Sequence, residues 1–221
     1  MINLFNRQKY SDLVPGERIE KLVREYLQPD LVKLDFKPLK SELTFKRTKN
    51  DFVQEIHVTK SRMNYGKVNV NFWLIFSVRS HKYAKWHKRQ YGYDPMNDFI
   101  ISNYDSHFKS WKSKYRSTQY DLAKFDNIHL MKDIRSKMLR IGIPILDEVS
   151  DWERAADYMV AREQFGYISK IFDFYVIADK IKEAKNSLTL AETCFSKIEN
   201  VPEERFDEIK IRKNIFKEDL R

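Results

Sequence analysis

Hydrophobic positions repeat with two different periods along the chain, and the change of period divides it. Over residues 15–34 the apolar positions Ile19, Leu22, Val23, Tyr26, Leu27 and Leu31 fall mostly three or four apart, as on one face of a helix. Pro15 suits a first helical position, and Glu17 and Glu20 suit the positive end of the helix dipole. Pro29 ends or kinks this helix. The period then drops to two. Leu43, Phe45 and Arg47 share one parity, while Phe52, Gln54, Ile56 and Val58 alternate with Val53, Glu55, His57 and Thr59. The longest alternation covers residues 67–79. It predicts a strand with Val68, Val70, Phe72, Leu74, Phe76 and Val78 on one face and Asn69, Asn71, Trp73, Ile75, Ser77 and Arg79 on the other. The links 48–51 and 62–66 carry Asn, Asp and Gly, as turns do. This pattern predicts an antiparallel meander whose apolar face the first helix covers. Further strands are expected near residues 98–104 and 119–125.

From Asn127 the helical period returns. Leu130, Met131, Ile134, Met138 and Leu139 form a stripe that should end at Gly142, with Lys137 and Arg140 in the last turn and Pro144 beyond. Ser150-Asp151-Trp152-Glu153 reads as a capping box opening a helix to about Arg162. Phe165, Ile168, Ile171, Phe172, Tyr175 and Val176 make another stripe, and Leu188, Ala191, Phe195 and Ile198 a fourth. Pro202-Glu203-Glu204 opens the last helix, with Ile209 and Phe216 expected in the core. Residues 1–14 read as a polar, loosely docked arm. The fold class is therefore α+β: an N-terminal helix packed on an antiparallel meander over residues 1–127, then a helical extension over 128–221, packed on the sheet as one unit.

Composition narrows the function classes. Of 221 residues, 42% are hydrophobic and 14% aromatic, which is enough for a core. The five glycines are too dispersed to form a phosphate-binding loop. A single cysteine, Cys194, excludes an intrachain disulfide and argues against a thiolate zinc site; beside Phe195 it reads as a packing residue. The apolar runs 72–78 and 171–178 are too short to span a bilayer, and the second carries Asp173. The first ten residues lack the apolar core of a signal peptide. A cytoplasmic protein without membrane contact or cofactor is expected.

Charge is unevenly placed. Residues 1–127 hold 24 Lys/Arg against 14 Asp/Glu, a balance of +10, whereas residues 128–221 balance at −1. Between Glu55 and Asp94 lie eight cations and no acid. Such a field attracts phosphates or acidic protein surfaces, unless it is simply the solvated face of a Lys-rich chain.

The motifs Phe45-Lys46-Arg47, Asp51-x-x-Gln54-x-Ile56, Lys60-Ser61 and Val68-Asn69-Val70-Asn71-Phe72 stand in an order that resembles an uncharacterised bacterial family of domains of unknown function. The likeness spans about residues 17–80. The Gly-Phe-Lys usual before the family's first strand stands as Asp35-Phe36-Lys37, a departure. The resemblance implies a helix-plus-sheet fold and brings no activity with it. Similar orphan domains often sit beside toxin genes as immunity proteins, an analogy at family level.

Three constellations carry candidate chemistry. Asp51, Glu55 and His57 approach the two-carboxylate-plus-lysine set of metal-dependent nucleases, but a neutral imidazole stands where a cation must stabilise developing charge. None of the five histidines is spaced three or four from another, and no metal site is expected. On the polar face of the meander, Glu55, His57, Asn69, Asn71, Trp73 and Arg79 combine an aromatic surface with directional amides, as a recognition surface requires. The competing expectation is that C-terminal helices cover this face. In residues 79–93, Lys82, Lys85, Lys88 and Arg89 alternate with Tyr83, Trp86, Tyr91 and Tyr93. Cations beside stacking rings are how single-stranded nucleic acids are held; the alternative is an insertion whose rings pack inward. The reading favoured is a non-enzymatic interaction protein that binds an acidic protein partner, with immunity-like neutralisation of a toxin as its narrower form. A nucleic-acid-binding module on the basic-aromatic segment is the second reading. An enzyme with a site on the polar sheet face around His57 is the third.

Overall fold

The computed structural model describes residues 8–39 and 42–218, with side chains as far as Asn214. The chain divides into two compact units. The first runs to His81 and resumes over Ile101–Leu146; the second comprises Lys82–Ile100 and everything from Asp147. The single boundary expected near residue 127 is thus replaced by three crossings. The physical reason lies in the helix after Asn127, which the first unit needs to complete its own core.

In the first unit, α1 (Pro15–Tyr26) and α2 (Gln28–Lys33) form where the stripe predicts, with Pro29 opening the second. Strands β1 (Lys37–Pro38), β2 (Thr44–Lys49), β3 (Phe52–Lys60) and β4 (Asn71–Arg79) follow as an antiparallel meander. β5 (Phe99–Tyr104) continues the sheet beyond β4, and the short β6 (Tyr120–Asp121) also pairs with β4. Register places Phe45, Ile56 and Phe76 side by side, and likewise Val58 and Leu74. This face is the core: Ile56, Phe72, Leu74, Phe76 and Val78 are buried with Ile19, Leu22 and Val23 of α1. A helical segment closes over it, made of α4 (Asn127–Lys137), a π-turn (Met138–Gly142) and α5 (Ile143–Glu148).

Two local expectations fail there for the same reason. The helix does not stop at Gly142; it widens into the π-turn and continues through Pro144. Gly142 serves close packing: a Cβ on it would lie 2.4 Å from Phe76 Cε1. The π-turn shifts the hydrogen-bond ladder by one residue, which accommodates a proline without an N–H. Gln54, on the core face, donates from Nε2 to the Leu146 carbonyl at 3.0 Å, which ties α5 to the sheet.

The strand expected from residue 67 begins at Asn71. Residues 65–69 instead fold back on themselves, with Tyr65 and Asn69 exchanging backbone hydrogen bonds of 2.9 and 3.2 Å. Asn64 pairs with the Asn71 backbone like a missing strand neighbour, accepting at 2.6 Å and donating at 2.9 Å. Val68 therefore sits on the loop and is 75% exposed. The strand expected over 119–125 shrinks to two residues because the Asp121 carboxylate accepts from Ala123 N at 2.8 Å and turns the chain. Of the expected arm, residues from Gln8 onward are described. They are docked: Gln8 Nε2 donates to the Ala123 carbonyl at 2.6 Å, and Asn127 Nδ2 to that of Lys9 at 2.9 Å.

The second unit is helical: α3 (His81–Tyr91, from Lys82 on), α6 (Trp152–Val160), α7 (Ile168–Ile177), α8 (Ile181–Phe195) and α9 (Glu203–Glu218). α7 is central and packs against α6, α8 and α9. It buries Ile168, Ile171, Phe172, Asp173, Phe174 and Tyr175. The cap of α6 is Asp151 rather than Ser150, its carboxylate accepting from Arg154 N at 3.0 Å; the helix starts one residue later than a Ser150 box requires. Ile198 lies past the end of α8 and is half-exposed, while Ile209 is buried. The Phe216 side chain lies outside the described residues.

Candidate functional site

β3 and β4 bring most of the expected sheet-face residues together. Glu55 lies opposite Ser77, His57 opposite Ile75 and Thr59 opposite Trp73. Arg79 Nη2 reaches Glu55 Oε2 at 2.7 Å, and Lys46 Nζ stands 3.9 Å from Glu55 Oε1. The Thr44 hydroxyl bonds His57 Nδ1, and Asn71 donates to the Asn69 side-chain carbonyl. Asn69 itself belongs to the fold-back loop and donates to the Met63 carbonyl at 2.7 Å. The face is neither open nor sealed: Glu55, His57, Asn71, Trp73 and Arg79 are all half-buried. Its charged groups already pair with one another. The Trp73 indole N–H and the Thr59 hydroxyl are buried with no hydrogen-bond partner among the described residues. His57 and Thr59 also line a cleft of about 280 Å³ with Glu20, Arg24 and Glu42. Glu20 is held there by Arg24 at 2.9 Å and Lys60 at 3.9 Å.

The basic-aromatic segment is a helix, and this changes how its alternation reads. At about 100° per residue, Lys82, Lys85, Lys88 and Arg89 fall within an arc of about 120°. Tyr83 and His87 are centred on the opposite side and are buried. All four cations are exposed, and Lys88 forms a surface pair with Asp94 at 3.0 Å. Most of the rings turn the other way, although Trp86 is half-buried and Tyr93 is exposed. Tyr83 packs edge-on against Phe174 at 5.1 Å between centroids, Trp86 lies 5.9 Å from Tyr91, and His87 lies 5.0 Å from Tyr93. Gly92 ends the helix: its φ of +80° is one an L side chain rarely adopts, and its N–H returns to the Lys88 carbonyl at 2.9 Å.

What fixes this orientation is a buried hub that sequence reasoning missed. Asp173 of α7 accepts from the Tyr83 hydroxyl at 3.2 Å and the Tyr91 hydroxyl at 2.6 Å. Arg212 of α9 donates to the same carboxylate through Nε and Nη2, each at 3.2 Å. Burial, and then the Asp173 charge, hold both phenols far above their ordinary pKa. Burial opposes the Arg212 charge, but Asp173 more than offsets it, and the guanidinium pKa is raised. The one signal in the sequence is an acid inside an apolar run. In the first unit, residues 114–125 line a polar cavity of about 380 Å³ with Lys114, Thr118, Asp121 and Lys124 on its walls; no motif marks it.

Among the described residues, no group of three His, Cys, Asp or Glu side chains converges as a metal site, and no helix is long and apolar enough to cross a membrane. No family model, no curated protein and no solved structure matches the chain.

Proposed function

We propose that the protein is a non-enzymatic binding module that docks an acidic protein partner on the solvent face of α3. The observation that supports this reading is the gathering of Lys82, Lys85, Lys88 and Arg89 on one stripe of a helix whose other side is anchored. A stripe of like charge raises the encounter rate with an acidic surface and disfavours basic ones. Two of these cations sit in the last turn, where they also complement the helix dipole, but Lys82 and Lys85 lie outside that turn. The nucleic-acid reading draws less support, because Tyr83 is buried and Trp86 and Tyr91 pack on each other; the base-stacking half of that mechanism is largely engaged internally. The enzyme reading draws less still, since Glu20 and Glu55 near His57 are both engaged in ion pairs. Toxin neutralisation is the narrower form of the proposal and rests on the family resemblance alone.

The test is affinity capture from native lysate, with and without nuclease, using the wild-type chain and the Lys85→Glu/Lys88→Glu/Arg89→Glu variant. A partner held by the wild type after nuclease treatment is expected, with association to the variant slower by about tenfold or more at low salt. An unchanged association rate would place the docking face elsewhere. Loss of capture on nuclease treatment would replace this reading with the nucleic-acid one.

A further inference from the structure

The second unit contains a cleft of about 210 Å³ that the α3 stripe does not use. At roughly 30 Å³ per water it has room for about seven, so any ligand is small. Its walls come from separate stretches of the unit: Tyr83 and His87 of α3, Tyr93 of the following loop, Lys170 of α7, and Glu208 and Arg212 of α9.

The charges in those walls are unequal in what they have left to offer. Arg212 is committed to Asp173. Arg205, at the rim, lies 3.3 Å from Glu208 Oε2. His87 donates its Nδ1–H to the Tyr93 carbonyl at 3.0 Å. Lys170 differs. Its ammonium donates to two neutral acceptors, Asn97 Oδ1 at 2.7 Å and the Phe99 carbonyl at 2.6 Å, and forms no ion pair among the described residues. An ammonium has three N–H donors, and these bonds use two. Burial lowers the Lys170 pKa to about 8, while Asp98 and Asp173 act through space to raise it. A half-buried cation with no carboxylate in hydrogen-bond contact gains from an anion brought by a ligand.

We infer that this cleft is a binding site for a small organic monocarboxylate, its carboxylate on Lys170 Nζ and its apolar body against the rings of Tyr93 and Tyr167, which line the cleft and are exposed. One negative charge suits the site better than two. Among the described wall residues Lys170 is the cation outside the internal pairs, and Asp98 and Asp173 already act on it through space, so a second negative charge on the ligand gains little. A phosphate dianion is therefore disfavoured, and the aromatic surface of the cleft suits an apolar body better than a strongly hydrated anion.

The experiment uses the full chain and three probes: benzoate, isovalerate and inorganic phosphate. Calorimetry on the wild type is expected to give saturable binding of at least one carboxylate and weaker binding of phosphate. Lys170→Met keeps an unbranched side chain one heavy atom shorter and without charge, and is expected to weaken carboxylate binding by about tenfold or more. A second readout needs no variant. Acylation of lysines by an amine-reactive reagent, mapped by mass spectrometry, should be suppressed by the bound carboxylate at Lys170 and not at surface lysines such as Lys85. If neither carboxylate saturates or protects Lys170, or if a folded Lys170→Met variant binds as the wild type does, there is no such site. Tighter binding of phosphate would overturn the assignment to a monocarboxylate.

Discussion

Among the described residues each unit buries one aspartate completely, and the two are bonded differently. Asp173 has both oxygens bonded twice over, by Tyr83, Tyr91 and both arms of Arg212. Asp105 accepts from the Tyr120 hydroxyl at 2.7 Å and has Arg116 Nη1 at 2.9 Å, yet its Oδ1 closes no hydrogen bond of good geometry. Burial raises the Asp105 pKa, against Tyr120, Arg116 and the Leu74 and Ser106 backbone, which favour the charge. The two buried carboxylates thus differ in how completely their oxygens are satisfied. The partners also differ in reach. Those of Asp105 lie 11 and 15 residues along the chain, whereas those of Asp173 come from helices as many as 90 and 39 residues away. One network fastens a local loop and the other fastens a unit.

Breaking the hub should have the largest effect. Arg212→Met leaves a buried carboxylate with phenols alone, and a loss of about 3–5 kcal/mol is expected in urea unfolding. Adding Asp173→Leu should recover much of that loss; a double variant as unstable as the single one would mean that Arg212 acts by packing. Gly142→Ala tests the first unit through its dry core, where the new methyl group meets the Phe76 ring. About 1–3 kcal/mol is expected, with strong coupling to Phe76→Leu in a double-mutant cycle. Asp105→Asn sharpens the comparison through pH. A carboxyl group whose folded-state pKa is raised contributes stability in its protonated form, at acid pH, and that contribution fades as pH rises through the folded pKa. The deficit of Asp105→Asn relative to wild type should thus narrow from acid to neutral pH; a deficit that widens would contradict the assigned direction. The smallest effect belongs to Lys85→Glu/Lys88→Glu/Arg89→Glu. It should change stability by under about 1 kcal/mol, most of it through the helix dipole, and leave the near-ultraviolet signature of Tyr83 and Tyr91 unchanged.

Much of the sheet was legible because β3 and β4 each sustain a period of two over nine residues. The same signal overreached at Val68, where parity continued into a loop that backbone pairing and Asn64 define. α3 was illegible as a helix because its inward pair, Tyr83 and His87, sits among rings and cations that make every position look interfacial. At Gly142 the usual helix-stop residue serves contact with Phe76, a partner distant in sequence. The sheet-face residues were found together, but not their mutual pairing, since Arg79 reaching Glu55 is a matter of rotamer rather than spacing. The Lys170 cleft left no trace in the chain: its walls are drawn from around residues 83–97, 167–170 and 205–212, and no local pattern joins them.

The tyrosines that hold α3 have a consequence for whatever meets its outer face. A helix secured by hydroxyls near both of its ends cannot roll about its own axis without breaking them, so its ammonium and guanidinium groups keep constant bearings. Mutational drift at Asp173 or Arg212, positions shielded from any visitor, would then retune recognition from beneath, by letting that bearing wander.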